Sequence, residues 1–262
     1  MKSKNKSKII RIFFFVFLAG LLAVELTYSI LHYNEDLYFL MSRFLGGSAC
    51  VVFMIDFSIT KVLNPLGNKK FIPLLLVIPG FIIAINNFPF VAFFSGDFVM
   101  NTTATSIFVT ALICIGTGFF EEMAFRGCAF MLLLKKRTQS KVKIFLAILL
   151  SSLVFGAIHF VNIFFGASPA GVFLQIGYSA LIGALCSMVL LLTGNIWICV
   201  VLHAVYNFCG KIAVCWTVPQ MIFTAVVAIV VAVYFVILFF KMPISLASDL
   251  FVAKNTKNQE AE

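Results

Sequence analysis

Glu121-Glu122-Met123-Ala124-Phe125-Arg126-Gly127 puts two carboxylates and a guanidinium inside the run 103–134, which is otherwise apolar and long enough to cross a bilayer. An ionised side chain near the middle of a lone membrane helix costs about 2.5–3.5 kcal/mol to insert, so these groups need partners, water or a protonated state. Ionisable residues retained at that cost mark a functional site by default.

The composition agrees with a membrane setting. Of 262 residues, 62% are hydrophobic and 11% charged, whereas a soluble domain has about 25% charged residues. Eight apolar runs lie at 9–31, 37–63, 71–94, 103–134, 144–165, 172–193, 196–214 and 218–240. Each approaches the length that crosses a hydrocarbon core. The expected fold class is therefore all-α: a polytopic membrane protein of about eight transmembrane helices with an intramembrane polar site.

The first run follows the basic start Met-Lys-Ser-Lys-Asn-Lys-Ser-Lys, but it exceeds a signal-peptide core and lacks a small-x-small cleavage site, so it reads as a retained span. Pro79-Gly80 and Asn86-Asn87-Phe88-Pro89 interrupt the third run and predict a kink or an early end. Glu25 and Asp56 lie towards the ends of their runs and read as interfacial or helix-pairing acids. Residues 242–262 are polar and read as a disordered tail.

The formal net charge is +9. Lys and Arg gather at the chain start and in short loops, which is a topology signal and not a nucleic-acid footprint. Placing Lys69-Lys70, Lys135 to Lys143, Lys254 and Lys257 inside leaves acidic 32–36 and Asp97 outside and brings both termini to the cytoplasm. The seven cysteines, Cys50, Cys114, Cys128, Cys186, Cys199, Cys209 and Cys215, are scattered through apolar runs without CxxC spacing. Neither a disulfide framework nor a zinc finger is expected from them.

Polar pairs recur at i, i+4, on one helix face. Glu122 and Arg126 are so related and can pair, while Glu121 points about 100° away towards a different cavity. His159 follows Phe155-Gly156-Ala157-Ile158, and His203 heads His203-Ala204-Val205-Tyr206-Asn207; these are two of three histidines in the chain. At 1.5 Å per residue from the cytoplasmic end of each run, Glu121 lies about 18 Å deep, His159 about 22 Å, His203 about 12 Å and Asn207 about 18 Å, close to one common layer. A lone histidine on an apolar face is ordinarily structural; two in separate runs beside a double glutamate form a candidate site. A carboxylate beside a neutral histidine can position a water and take its proton, and a second histidine with an amide can stabilise an oxyanion, which is the chemistry of amide hydrolysis.

The set Glu-Glu-x-x-x-Arg-Gly at 121–127, Phe-x-x-x-His at 155–159 and His-x-x-x-Asn at 203–207, with Ser151-Ser152 and Asn195-Ile196-Trp197 as flanks, resembles the CAAX prenyl endopeptidase and bacteriocin-processing family of intramembrane proteases, the ABI or CPBP family. The resemblance covers about 103–215. It implies a glutamic-type intramembrane endopeptidase without a cofactor, in which Glu121 and His159 activate water, His203 and Asn207 form the oxyanion site, and Glu122 with Arg126 supports it. It also divides the chain into N-terminal spans with little family signal (1–102), a protease core (103–215), a last span (216–241) and a cytoplasmic tail (242–262). The expected partners are the lipid bilayer and a peptide or membrane-protein substrate, with no nucleic acid; oligomeric state has no sequence signal. The Phe-, Lys- and Asn-rich composition points to a bacterial cell membrane, where leader- or signalling-peptide processing suits the site better than prenylated CAAX proteins.

Three other readings stand beside it. One Glu and two His resemble a catalytic zinc triad, although the chain lacks His-Glu-x-x-His and Asn207 is an unusual zinc ligand. A non-catalytic bacteriocin self-immunity or scaffold protein would need no chemistry from these residues. A transporter is opposed by the absence of an internal repeat.

Overall fold

The computed structural model describes residues 35–65, 71–97, 104–213 and 217–251, with Val16, Phe17 and Gly20. The elements run α1 (Glu35–Asp56), three short helices α2 (Phe71–Leu76), α3 (Ile78–Ile85) and α4 (Phe90–Ser95), then α5 (Ala104–Glu122), which continues through a π-helical segment (Met123–Phe130) into α6 (Met131–Lys135). Next come α7 (Lys141–Ile158), tightening into a 3₁₀ turn (His159–Phe165), α8 (Pro169–Thr193), α9 (Ile196–Ile212), α10 (Val218–Lys241) and α11 (Ser245–Asp249). All of these elements are helical, as a hydrocarbon solvent demands of backbone that must satisfy its own hydrogen bonds.

Five described helices are long and apolar enough to cross a membrane: Asp36–Asp56, Ser106–Lys135, Lys141–Phe165, Pro169–Thr193 and Val218–Lys241. Two shorter apolar helices, Leu74–Ile85 and Ile196–Ile212, accompany them. The expected count of eight is thus not reproduced helix for helix. The run 9–31 falls outside the described residues except at three positions. The run 37–63 ends its helix at Asp56 and closes with a turn in which Ser58 has a positive φ of 57°.

The run 71–94 is broken into α2, α3 and α4 for a local reason. Pro79 has no N–H, and Gly80 N–H turns to the Val77 carbonyl at 2.9 Å, which leaves the Leu76 carbonyl to accept the Tyr234 hydroxyl of α10 at 3.0 Å. Further on, Asn87 Nδ2 donates to the Tyr206 carbonyl at 2.8 Å, and Val91 N–H donates to Gln220 Oε1 at 2.8 Å. The interrupted backbone is therefore satisfied by α10, with Asn87 tying the segment to α9, the condition under which irregular backbone is tolerated at membrane depth.

Close helix contacts carry the bundle, because apolar surface alone has little preference for helix over lipid. A Cβ on Gly47 of α1 would lie 2.4 Å from the Phe119 ring, one on Gly118 of α5 2.9 Å from the Val200 carbonyl, and one on Gly156 of α7 2.6 Å from the Ile176 carbonyl of α8. The last two meet backbone, which cannot step aside. Gly156→Ala is accordingly expected to destabilise the protein by about 1–3 kcal/mol through overpacking, read as a lower melting temperature in detergent. An unchanged melting temperature would show that α7 and α8 do not approach this closely.

Lipid contact is written in the burial pattern. On α10 only Gln220, Val231, Phe235 and Phe239 are buried, while Ile222, Val226, Ile229, Val230 and Val233 are exposed. A helix apolar on all sides with one buried stripe faces lipid on the others. Residues 242–251, expected to begin a disordered tail, instead fold back: Met242, Ala247 and Leu250 are buried, and the Lys61 ammonium donates to the Asp249 carbonyl. The six described cysteines are free thiols, and Cys215 lies outside the described residues.

Candidate active site

Glu121 and Glu122 are the last two residues of α5, immediately before the backbone widens to π-helical geometry. Such bulges are uncommon and concentrate at functional sites. Gly127 lets the widened segment pass α1, since a Cβ there would lie 2.4 Å from Met54 Sδ. Glu122 is fully buried and Arg126 is 1% exposed, with Arg126 Nη1 3.1 Å from Glu122 Oε1. The expected i, i+4 pair is present. The guanidinium also lies over the Phe155 ring, 4.4 Å from its centroid, and it fits because Gly183 faces it: a Cβ there would approach Nη2 to 3.1 Å.

The pair does not stand alone. His203 Nδ1 lies 2.6 Å from Glu122 Oε1, and its Nε2 lies 3.5 Å from Glu121 Oε2. One imidazole thus joins the two adjacent carboxylates, anchored to the buried one and presented to the other. A carboxylate oxygen accepts, so with Glu122 as a carboxylate Nδ1 is the donor in that bond.

His159 is oriented by different means. It occupies the C-terminal end of α7, where the change to 3₁₀ geometry turns its N–H to the Ala157 and Gly156 carbonyls. The Phe155 carbonyl that would have taken that N–H instead lies 3.0 Å from His159 Nδ1. A carbonyl only accepts, so Nδ1 carries hydrogen and a neutral ring leaves Nε2 as its bare nitrogen. The sequence offered no side-chain partner for this histidine; the partner is the helix's own freed backbone. Phe155 stands between the two histidines, with ring centroids 5.3 Å from His159 and 5.8 Å from His203, both edge-on.

Glu121, His159, His203 and Asn207 all line one cavity of about 560 Å³. Glu122 and Arg126 lie behind it. The four residues expected to share a site therefore do share one wall system, drawn from α5, the end of α7 and α9. Thr117 and Lys211 are among the lining residues that the sequence reading missed. Thr117, one turn before Glu121, has a buried hydroxyl with no protein partner, and Lys211 extends the His203, Asn207 stripe by another four residues. Continuing the i, i+4 pattern in both directions would have found them.

Among the described residues, no three His, Cys, Asp or Glu side chains are grouped so as to hold a metal ion. Residues 103–209 match the family model described as Type II CAAX prenyl endopeptidase Rce1-like. No curated protein and no solved structure gives a significant match.

Proposed function

We propose that this multi-pass membrane protein, whose residues 103–209 match the family model described as Type II CAAX prenyl endopeptidase Rce1-like, is a glutamic-type intramembrane endopeptidase acting on a peptide or membrane-associated protein. Glu121 takes a proton from a water held between its carboxylate and His159 Nε2, and the hydroxide attacks the scissile carbonyl carbon. The carbonyl oxygen, now an oxyanion, is met by the Asn207 amide and His203 Nε2. For Nε2 to donate while Nδ1 donates to Glu122, the ring carries both hydrogens, and the two flanking carboxylates balance its charge. Collapse of the tetrahedral intermediate breaks the C–N bond, and the proton held by Glu121 leaves with the amine. Glu122 and Arg126 act through His203 and hold its ring in place. No cofactor is required by this scheme. A bacterial cell membrane and a leader or signalling peptide are the setting and substrate class it fits best.

The observation that carries this reading is the contact of His203 with both glutamates, 2.6 Å to buried Glu122 and 3.5 Å to cavity-facing Glu121. The test is cleavage of a quenched fluorescent peptide library by detergent-purified protein, wild type beside His159→Ala, with and without chelator. Cleavage lost in the variant and indifferent to chelator is the expected result. Cleavage abolished by chelator and restored by zinc would overturn the glutamic mechanism. Cleavage unaffected by the His159 substitution would remove that residue from it.

A further inference from the structure

We propose that the cavity loads from the non-cytoplasmic side of the membrane, so that its substrates are polypeptide segments exported to, or anchored with an end at, that side; the word substrate rests on the peptidase reading, the side of entry does not. The two poles of the bundle are set by contacts between helix ends. Lys135 Nζ donates to the Phe57 carbonyl at 3.1 Å, Trp197 Nε1 to the Leu63 carbonyl at 2.8 Å, and the Lys141 ammonium to the Phe240 carbonyl. These bonds gather the C-terminal ends of α1, α6 and α10 with the N-terminal ends of α7 and α9 at one pole.

The cavity draws on the opposite ends of the same helices. Tyr38 comes from the start of α1, Phe165 from the turn after α7, Ala213 from just past α9 and Gln220 from the first turn of α10. Towards the first pole the way is shut: Phe130, Met131, Leu134, Leu190 and Ile196 are each 0% exposed and fill the bundle beyond Glu121. Glu121 precedes Lys135 by about 20 Å of helix, so the closed floor is thick and the cavity extends away from it towards the other pole.

Charge then orients the poles. Lys61, Lys135, Lys136, Arg137, Lys141, Lys143 and Lys241 all lie at the closed pole, with Asp56 and Asp249. At the open pole the described acids are Glu35, Asp36 and Asp97, and the described cations, Arg43 and Lys211, both line the cavity. Membrane proteins keep the Lys- and Arg-rich loops in the cytoplasm. The closed pole is therefore cytoplasmic, and the mouth opens on the other face.

Single cysteines at the two poles read this out in intact cells with a membrane-impermeant maleimide, scored above the unsubstituted protein. Lys211→Cys, exposed at the mouth, is expected to gain label in intact cells, and Lys136→Cys, exposed at the closed pole, only after the membrane is opened. Asp97→Cys, in the exposed turn after α4, reports the same face should Lys211→Cys fail to accumulate. Label on Lys136→Cys in intact cells, with Lys211→Cys and Asp97→Cys protected until permeabilisation, would overturn the proposal. Labelling needs no turnover, so the pattern should be the same in a Glu121→Gln background. Loss of cleavage with the pattern intact would bear on the peptidase reading alone.

Discussion

Glu121→Gln is expected to lower peptide cleavage by roughly 10²–10⁴-fold or more while leaving membrane level and melting temperature close to wild type. Gln is nearly isosteric with Glu and keeps an acceptor oxygen, but it cannot take a proton from water. The Glu121 side chain is 18% exposed to the cavity, so its neutralisation weakens only the longer, 3.5 Å contact with His203, which stays anchored to Glu122 at 2.6 Å. The neighbouring change makes the contrast. Glu122→Gln removes the charge opposite Arg126 from a site without solvent access and so should lower both activity and stability. Parallel measurement of cleavage rate and thermal unfolding in detergent separates the two glutamates. Full cleavage by Glu121→Gln would end its assignment as the base.

Arg126→Met should be among the most destabilising single substitutions in the chain. It leaves Glu122 fully buried with His203 as its remaining partner, and breaking a buried pair from one side costs about 3–5 kcal/mol. Arg126→Lys should recover little, because the ammonium lacks the planar face that lies over Phe155. The double variant Glu122→Gln, Arg126→Met should unfold at a higher temperature than Arg126→Met alone, since no uncompensated charge remains. Its cleavage should stay low, because His203 has lost its charged anchor. A double variant no more stable than the single one would show that Arg126 acts by packing on Phe155 and not by pairing.

Much of this was legible in one dimension because a membrane simplifies the code. Apolar length alone marks helices, and a charge within such a run is costly enough to stand out, which is why Glu121, Glu122 and Arg126 mark the candidate segment before any contact is known. Helical period likewise placed Glu122 with Arg126 and His203 with Asn207, since i, i+4 adjacency is a property of the helix itself. The break at Pro79-Gly80 was readable for the same local reason.

What lies beyond local period came only from the folded chain. That His203 touches both glutamates depends on how α9 packs on α5 through Gly118, a distance between helices that no spacing within either one encodes. The partner of His159 is a carbonyl released by a change of helix type, and the helical turn at 245–249, with Ala247 buried, follows from contacts with α8 and with Lys61. The sequence by itself determined that this is a helical membrane protein with a polar cluster at 121–126 and histidines on two other helices, because hydrophobic length and period are local quantities. Tertiary structure alone decided which histidine nitrogen meets which carboxylate and at which end of the bundle the cavity opens, because those depend on how separate helices are offset and crossed.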